Sequence, residues 1–172
     1  MGPAYATASG TRHNTTVRIS LDSPVRDDVG ALLDEHLADM YATSPPESVH
    51  ALDHSALLAP GITFWTARDD DGALLGCGAL KELSAEHGEI KSMRTAASAR
   101  GGGVASAVLG VLLEEARARG YGRVSLETGS QDFFAPARRL YARRGFTECG
   151  PFGVYVLDPF SVFMTMELAP GL

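Results

Sequence analysis

The chain predicts an α/β fold, a mixed sheet of about six to seven strands with helices on both faces. Three observations predict it. Strand-like and helix-like periodicities follow one another in the order β-α-α-β-β-β-α-β-α-β-β. The turn Asp69-Asp70-Asp71-Gly72 between two apolar runs marks a central hairpin, hence antiparallel pairing. Later strand–helix–strand passages are crossovers, which make parallel neighbours. With 172 residues, 45% of them apolar, the chain is long enough to bury one substantial core.

Met1 to Asn14 is small and polar and predicts a disordered or artificially added tail, with no basic start leading into an apolar run. From Thr16 to Leu21, Val17, Ile19 and Leu21 alternate with polar residues, the period of a half-buried strand. Arg26 to Met40 places Val29, Leu32, Leu33, Leu37 and Met40 on one helical side. Ser44-Pro45-Pro46-Glu47 has the form of a capping box with prolines in the first turn, so a second helix is expected through Val49, Leu52 and Leu57, ending before Pro60. Strands are expected at 62–68, 73–83 and 89–95.

Arg100 to Gly120 then forms a glycine-rich turn and one amphipathic helix, with Val104, Val108, Val111 and Leu112 at helical spacing and a stop at Gly120. Residues 123–128 read as a strand, 135–144 as a short helix, 147–149 and 161–168 as strands. A loop rich in Pro, Gly and Asp spans 150–159.

The net charge of −6 removes the electrostatic footprint of a nucleic-acid binder and favours a cationic or amine ligand. No apolar run approaches the length that spans a bilayer. Cys77 and Cys149 are far apart in apolar contexts and predict reduced core residues in a cytoplasmic protein. His50 and His54, at i and i+4, would share a helix face, but no third ligand accompanies them and no metal is expected.

The turn at 100–106 is the chemical centre of the chain. A helix start leaves N–H groups without intrahelical partners at the positive end of the helix dipole, and three glycines let backbone approach a ligand there. Phosphate or pyrophosphate suits that arrangement. A nucleotide P-loop is excluded, because Gly103 is followed by Val104 and Ala105 and no lysine. A dinucleotide fingerprint is excluded, because Gly101 and Gly103 are followed by Ser106 and the turn lies past the midpoint of the chain.

What fits is Arg-x-x-Gly-x-Ala, carried by Arg100, Gly103 and Ala105. It resembles the pyrophosphate loop of the GNAT superfamily of acetyl-CoA-dependent N-acetyltransferases. Three further stretches share the resemblance: the preceding strand Glu89 to Thr95, the run Leu140-Tyr141-Ala142-Arg143-Arg144-Gly145-Phe146, and the closing strand Val162 to Met166. Phrases such as His87-Gly88-Glu89-Ile90-Lys91-Ser92-Met93 look like the small bacterial YsnE-type branch. The resemblance covers residues 15–172 and implies a single GNAT-like domain. One departure stands out: where many members carry asparagine, seven residues before the helix tyrosine, this chain has Phe134. Gln131 or Asp132 either replaces that contact or leaves it absent.

The resemblance implies a set of roles. Backbone N–H groups of Gly101, Gly102, Gly103, Val104, Ala105 and Ser106 would hold the pyrophosphate of acetyl-CoA with Arg100, and Arg138 or Arg139 would meet its 3′-phosphate. Met93, Arg94 and Thr95 would line the pantetheine arm and polarise the thioester through unpaired amides, if the neighbouring strand splays away. Tyr141 would protonate the departing thiolate; the competing reading is a core tyrosine. Glu89 takes the place of the general base in some members; the competing reading is a solvated strand end beside Lys91. Glu82 and Glu86 are further carboxylates in that region, and Ser48, His50 and Glu82 are expected at an amine pocket. The implied reaction is direct transfer to a primary amine of a small molecule or an amino-acid-like acceptor. A CoA-binding sensor without turnover and an enzyme for longer acyl chains are the rivals. A homodimer is a habit of this fold.

Overall fold

The sheet is organised by which face each strand residue must bury. The computed structural model describes residues 16–169. Its seven strands are β1 (Arg18–Leu21), β2 (Ile62–Arg68), β3 (Leu74–Ser84), β4 (His87–Thr95), β5 (Arg123–Gly129), β6 (Thr147–Cys149) and β7 (Ser161–Glu167). They lie in the order β1-β2-β3-β4-β5-β7-β6, with β4 and β5 parallel and the other neighbours antiparallel. The three helices are α1 (Asp27–Thr43), α2 (Val104–Ala118) and α3 (Ala135–Arg143).

Alternation along β2 and β3 divides the core in two. Phe64, Cys77 and Ala79 turn to one face and pack on Val29, Leu32 and Leu33 of α1. Trp65, Ala67 and Leu80 turn to the other and join Val104, Val108, Leu109 and Leu112 of α2, together with Tyr141 of α3. Gly78 permits that approach: a Cβ there would stand 2.8 Å from Val108 Cγ1. The predicted hairpin turn forms, with Gly72 at φ +83 and Asp69 Oδ1 accepting from the amides of Asp71 and Ala73 at 2.9 Å.

The second helix does not form. Residues 44–60 hold only two short 3₁₀ turns, Pro46–Ser48 and Ala56–Leu58. Val49, His50, Asp53, His54 and Ser55 are weak helix formers, and Asp53 instead accepts from the Ala56 amide at 2.8 Å. Leu57, 1% exposed, anchors the segment under β2. The histidines therefore share no helix face: His54 Nε2 lies 2.9 Å from Asp34 Oδ1, while His50 packs edge-on against Tyr155. Cys77 is buried and Cys149 only partly so, and both are free thiols. The expected tail at 1–14 lies outside the described residues.

Two irregularities shape the centre of the sheet. The β3–β4 register slips between Cys77↔Arg94 and Ala79↔Lys91, so β4 carries a bulge, with Ser92 at φ +55. A non-glycine residue in that region costs about 1–2 kcal/mol. Beyond the bulge, β4 has no partner on its other side, because pairing with β5 ends at Ile90↔Leu126.

Candidate active site

The parting of β4 and β5 opens a cavity of about 360 Å³, lined by both faces of the split. On the α2–α3 side its wall includes Ile90, Met93, Leu126, Phe134, Ala137, Leu140 and Tyr141. On the α1 side stand His36, Met40, His50, Glu89, Lys91, Arg94, Glu127 and Tyr155. Every second amide of a strand points to the same neighbour, so the β4 amides turned toward β5 past Ile90 lack a ladder partner.

The glycine turn lies at the foot of this gap. Gly101 and Gly103 have φ of +79 and +82, conformations that an L side chain resists, and the positions of their absent Cβ atoms meet nothing within 4 Å. No side chain caps α2, and its first intrahelical bond runs from the Ala107 amide to the Gly103 carbonyl. The amides of Val104, Ala105 and Ser106 are thus left as donors at the positive end of the helix. That donor set fits an anionic diphosphate. The Val104 side chain itself is buried in the core, whereas Arg100 and Ala105 line the cavity. Arg144, reaching from the end of α3, donates to the Ser106 carbonyl at 2.7 Å and clamps the turn from behind.

Tyr141 is 6% exposed and lines the cavity. Burial, and then the charge of Glu127, pushes its phenol well above the ordinary value of 10, so it stays protonated. Glu89 is not a solvated strand end. It is 2% exposed, its Oε2 lies 3.0 Å from Lys91 Nζ, and the same oxygen accepts from the Tyr155 hydroxyl. Lys91 also donates to Tyr155 at 2.9 Å, closing a triangle. Burial, with Glu89 adding to it, holds the Tyr155 phenol protonated far above its usual range.

Glu127 differs. Among the described residues no cation pairs with it at salt-bridge distance, and it faces the cavity. Burial pushes its carboxyl from 4.5 up to about 7, against the opposing pull of the Ser161 hydroxyl and Lys91. His36 moves the other way: burial, then the charge of Arg94, lowers it to about 4, so it lines the cavity as a neutral ring. Arg94 is spoken for by α1, at 2.8 Å from Glu35 Oε1 and 2.6 Å from Asp39 Oδ2.

The cavity brings together Glu89, Met93, Arg94, Thr95, Arg100, Ala105, Tyr141 and His50 from the residues that the sequence singles out. It does not bring Glu82, which is exposed on β3 and accepts from Tyr121 at 3.3 Å. Ser48 is buried behind the wall, where its hydroxyl holds Asp158 below its usual range. Arg138 is engaged by the carbonyls of Gly129 and Gln131 at 2.6 and 3.0 Å, not turned out toward a phosphate. Phe134 packs on Gly129 in the cavity wall. The Gln131 amide nitrogen ties down the end of α1 through the Thr43 carbonyl at 2.6 Å, while its Oε1 is buried without a partner among the described residues.

Sequence reasoning missed Glu127 and Tyr155. A carboxylate between Leu126 and Thr128 in a central strand was the available signal for the first. Tyr155 had none, since it sits in an irregular loop beside the exposed Val154, Val156 and Leu157.

Comparison with known proteins bears on the family and the fold. A family model described as the acetyltransferase (GNAT) family matches residues 29–146. The uncharacterized N-acetyltransferase YsnE of Bacillus subtilis is 54% identical over 152 residues, 88% of this chain and 100% of that protein. The uncharacterized N-acetyltransferase YedL of Escherichia coli is 45% identical over 150 residues, 87% of this chain and 94% of the relative. A crystal structure from Klebsiella pneumoniae, of a protein assigned to the acyl-CoA N-acyltransferases, superposes with a TM-score of 0.74 at 27% identity, covering 91% of this chain and 100% of its own. Among the described residues no helix is long and apolar enough to cross a membrane, and no group of three or more His, Cys, Asp or Glu side chains converges.

Proposed function

We propose that this chain, which belongs to the GNAT family of acetyltransferases, passes the acetyl group of acetyl-CoA directly to the nitrogen of a small primary amine. The observation that carries the reading is one continuous cavity. It runs from the uncapped start of α2, along the unpaired edge of β4, to Tyr141 and the carboxyls of the α1 wall. Acetyl-CoA supplies the activated acetyl group; the protein supplies position, polarisation and two proton transfers. Amides of 101–106 and Arg100 hold the diphosphate, and the free edge of β4 at Met93 to Thr95 holds the pantetheine arm. Direct transfer needs no protein nucleophile, and Cys77, raised to about 12 by burial, is not one.

Tyr141 gives its proton to the leaving sulfur, the step for which a phenol kept protonated is suited. Glu127 takes the proton from the acceptor amine. It is the carboxyl in the cavity without a cationic partner, and its pKa of about 7 matches a base working near neutrality. Glu89, tied to Lys91 and Tyr155, shapes the acceptor end and leaves Glu127 free. Excess carboxylate there, from Glu35, Asp39, Glu89 and Glu127, favours an acceptor that arrives as a cation. The free thiols fit a reducing compartment, and the reaction is assigned to the cytoplasm.

Calorimetry with acetyl-CoA and a thiol-release screen across polyamines, amino acids and aminoglycosides test the proposal together. Heat on mixing and turnover with at least one amine are expected. A folded sample that gives neither removes it, and binding without turnover on any amine points to a sensor instead.

A further inference from the structure

The bulge in β4 is met by one side chain of the neighbouring strand. Ser92 is the single non-glycine residue with positive φ among those described, and its carbonyl accepts from the Cys77 thiol at 3.3 Å. Cys77 itself pairs with Arg94 across the β3–β4 ladder, just past the slip in register. The peptide unit that precedes Met93 is therefore anchored on the Cys77 thiol. A trans peptide carries its C=O and N–H on opposite sides. With the Ser92 carbonyl turned to the Cys77 thiol, the Met93 N–H is turned away from that thiol, on a stretch of β4 that β5 no longer pairs.

We infer that Cys77 is a positioning residue: its thiol holds the β4 bulge so that the Met93 amide is aimed at the thioester carbonyl. The inference rests on the acetyl-transfer reading. Cys77 is 1% exposed, packed in the cluster of Val29, Leu33, Phe64 and Ala79, so water does not compete for its S–H. Burial also keeps it a thiol, a donor, at every pH at which the protein would work. An S–H···O bond is weak by itself, yet it acts where the backbone is already off its preferred conformation and a small bias decides the peptide's direction.

The test reads the bond that the amide would polarise. Acetyl-CoA labelled with ¹³C at the carbonyl is bound to saturation, established by calorimetry, and its stretching band is recorded by difference infrared spectroscopy. In the wild-type protein the band should fall below its position for free acetyl-CoA in water. In Cys77→Ala that shift should be lost while affinity is kept, and in Cys77→Ser, which restores a donor, it should return at least in part. An unchanged shift in Cys77→Ala overturns the inference, as does a loss that Cys77→Ser fails to restore. Should Cys77→Ala not fold, Cys77→Val, similar in volume and without the donor, is read in its place. Absence of binding by the wild-type protein would instead remove the proposed function.

Discussion

One wall of the cavity is built from backbone and hydrocarbon, the other from charge. The α2–α3 wall presents uncapped amides of the glycine turn, a protonated Tyr141 and apolar side chains continuous with the main core. The wall made by α1 and the 150–160 loop presents Glu89, Lys91 and Tyr155 in a closed triangle, Arg94 shared between Glu35 and Asp39, and an unpaired Glu127. Fixed amides and a neutral phenol leave no buried charge to compensate. On the charged wall each group depends on its partner, because removing one member of a buried pair strands the other. Under the proposed function the first wall meets one invariant co-substrate and the second discriminates among acceptors.

The largest test of this contrast is Tyr141→Phe. If the apolar wall supplies the acid, kcat should fall by about 10²-fold or more, with acetyl-CoA affinity unchanged by calorimetry. Equal rates for variant and wild type would leave Tyr141 as a core residue.

Next comes the pair of carboxyls on the charged wall. Glu127→Gln should cost about 10²-fold in kcat and abolish the acidic limb of the pH–rate profile. That limb, in the wild type, should fall below about pH 7 as Glu127 takes up a proton. Glu89→Gln should keep it. The same group predicts a stability slope. Its folded pKa of about 7 exceeds the ordinary 4.5, so the folded state binds the proton more tightly. Stability contributed by the neutral form is present below 4.5 and is lost as pH rises to 7; thermal melts of Glu127→Gln should lack that slope.

Glu89→Gln should show its effect in urea unfolding, by about 3 kcal/mol, since Lys91, its side chain only 9% exposed, is left without its counter-charge. A loss under 1 kcal/mol would mean that the triangle is solvated in practice. Gly103→Ala, on the other wall, should cost about 1–2 kcal/mol in the same measurement, the strain of an alanine at φ +82. The backbone wall is thus expected to be the cheaper one to disturb.

The strands were legible because half-buried strands write a period of two into the chain. Ile19 in β1 and Val124 and Leu126 in β5 needed no partner to be recognised. The glycine turn was legible for a similar reason: the left-handed backbone at Gly101 and Gly103 is a local property of those residues. The second helix misled because Ser44-Pro45-Pro46-Glu47 is a strong start signal, whereas the residues behind it are poor at propagating one. A cap stabilises a helix by about 1 kcal/mol, too little to extend one through such a segment.

What the sequence determined by itself was local: the order of the strands and of the three helices that form, the glycine turn before α2, and the place of Tyr141 beside Leu140 on a short helix. Which carboxyl is free was settled only in three dimensions. Glu89 and Glu127 are equally plain in the chain, and what separates them is Tyr155, 66 residues from Glu89, arriving through an irregular loop to close the triangle with Lys91. Ionisation in a buried site is set by the charges and hydrogen bonds that surround each group in space, and those neighbours come from distant parts of the chain.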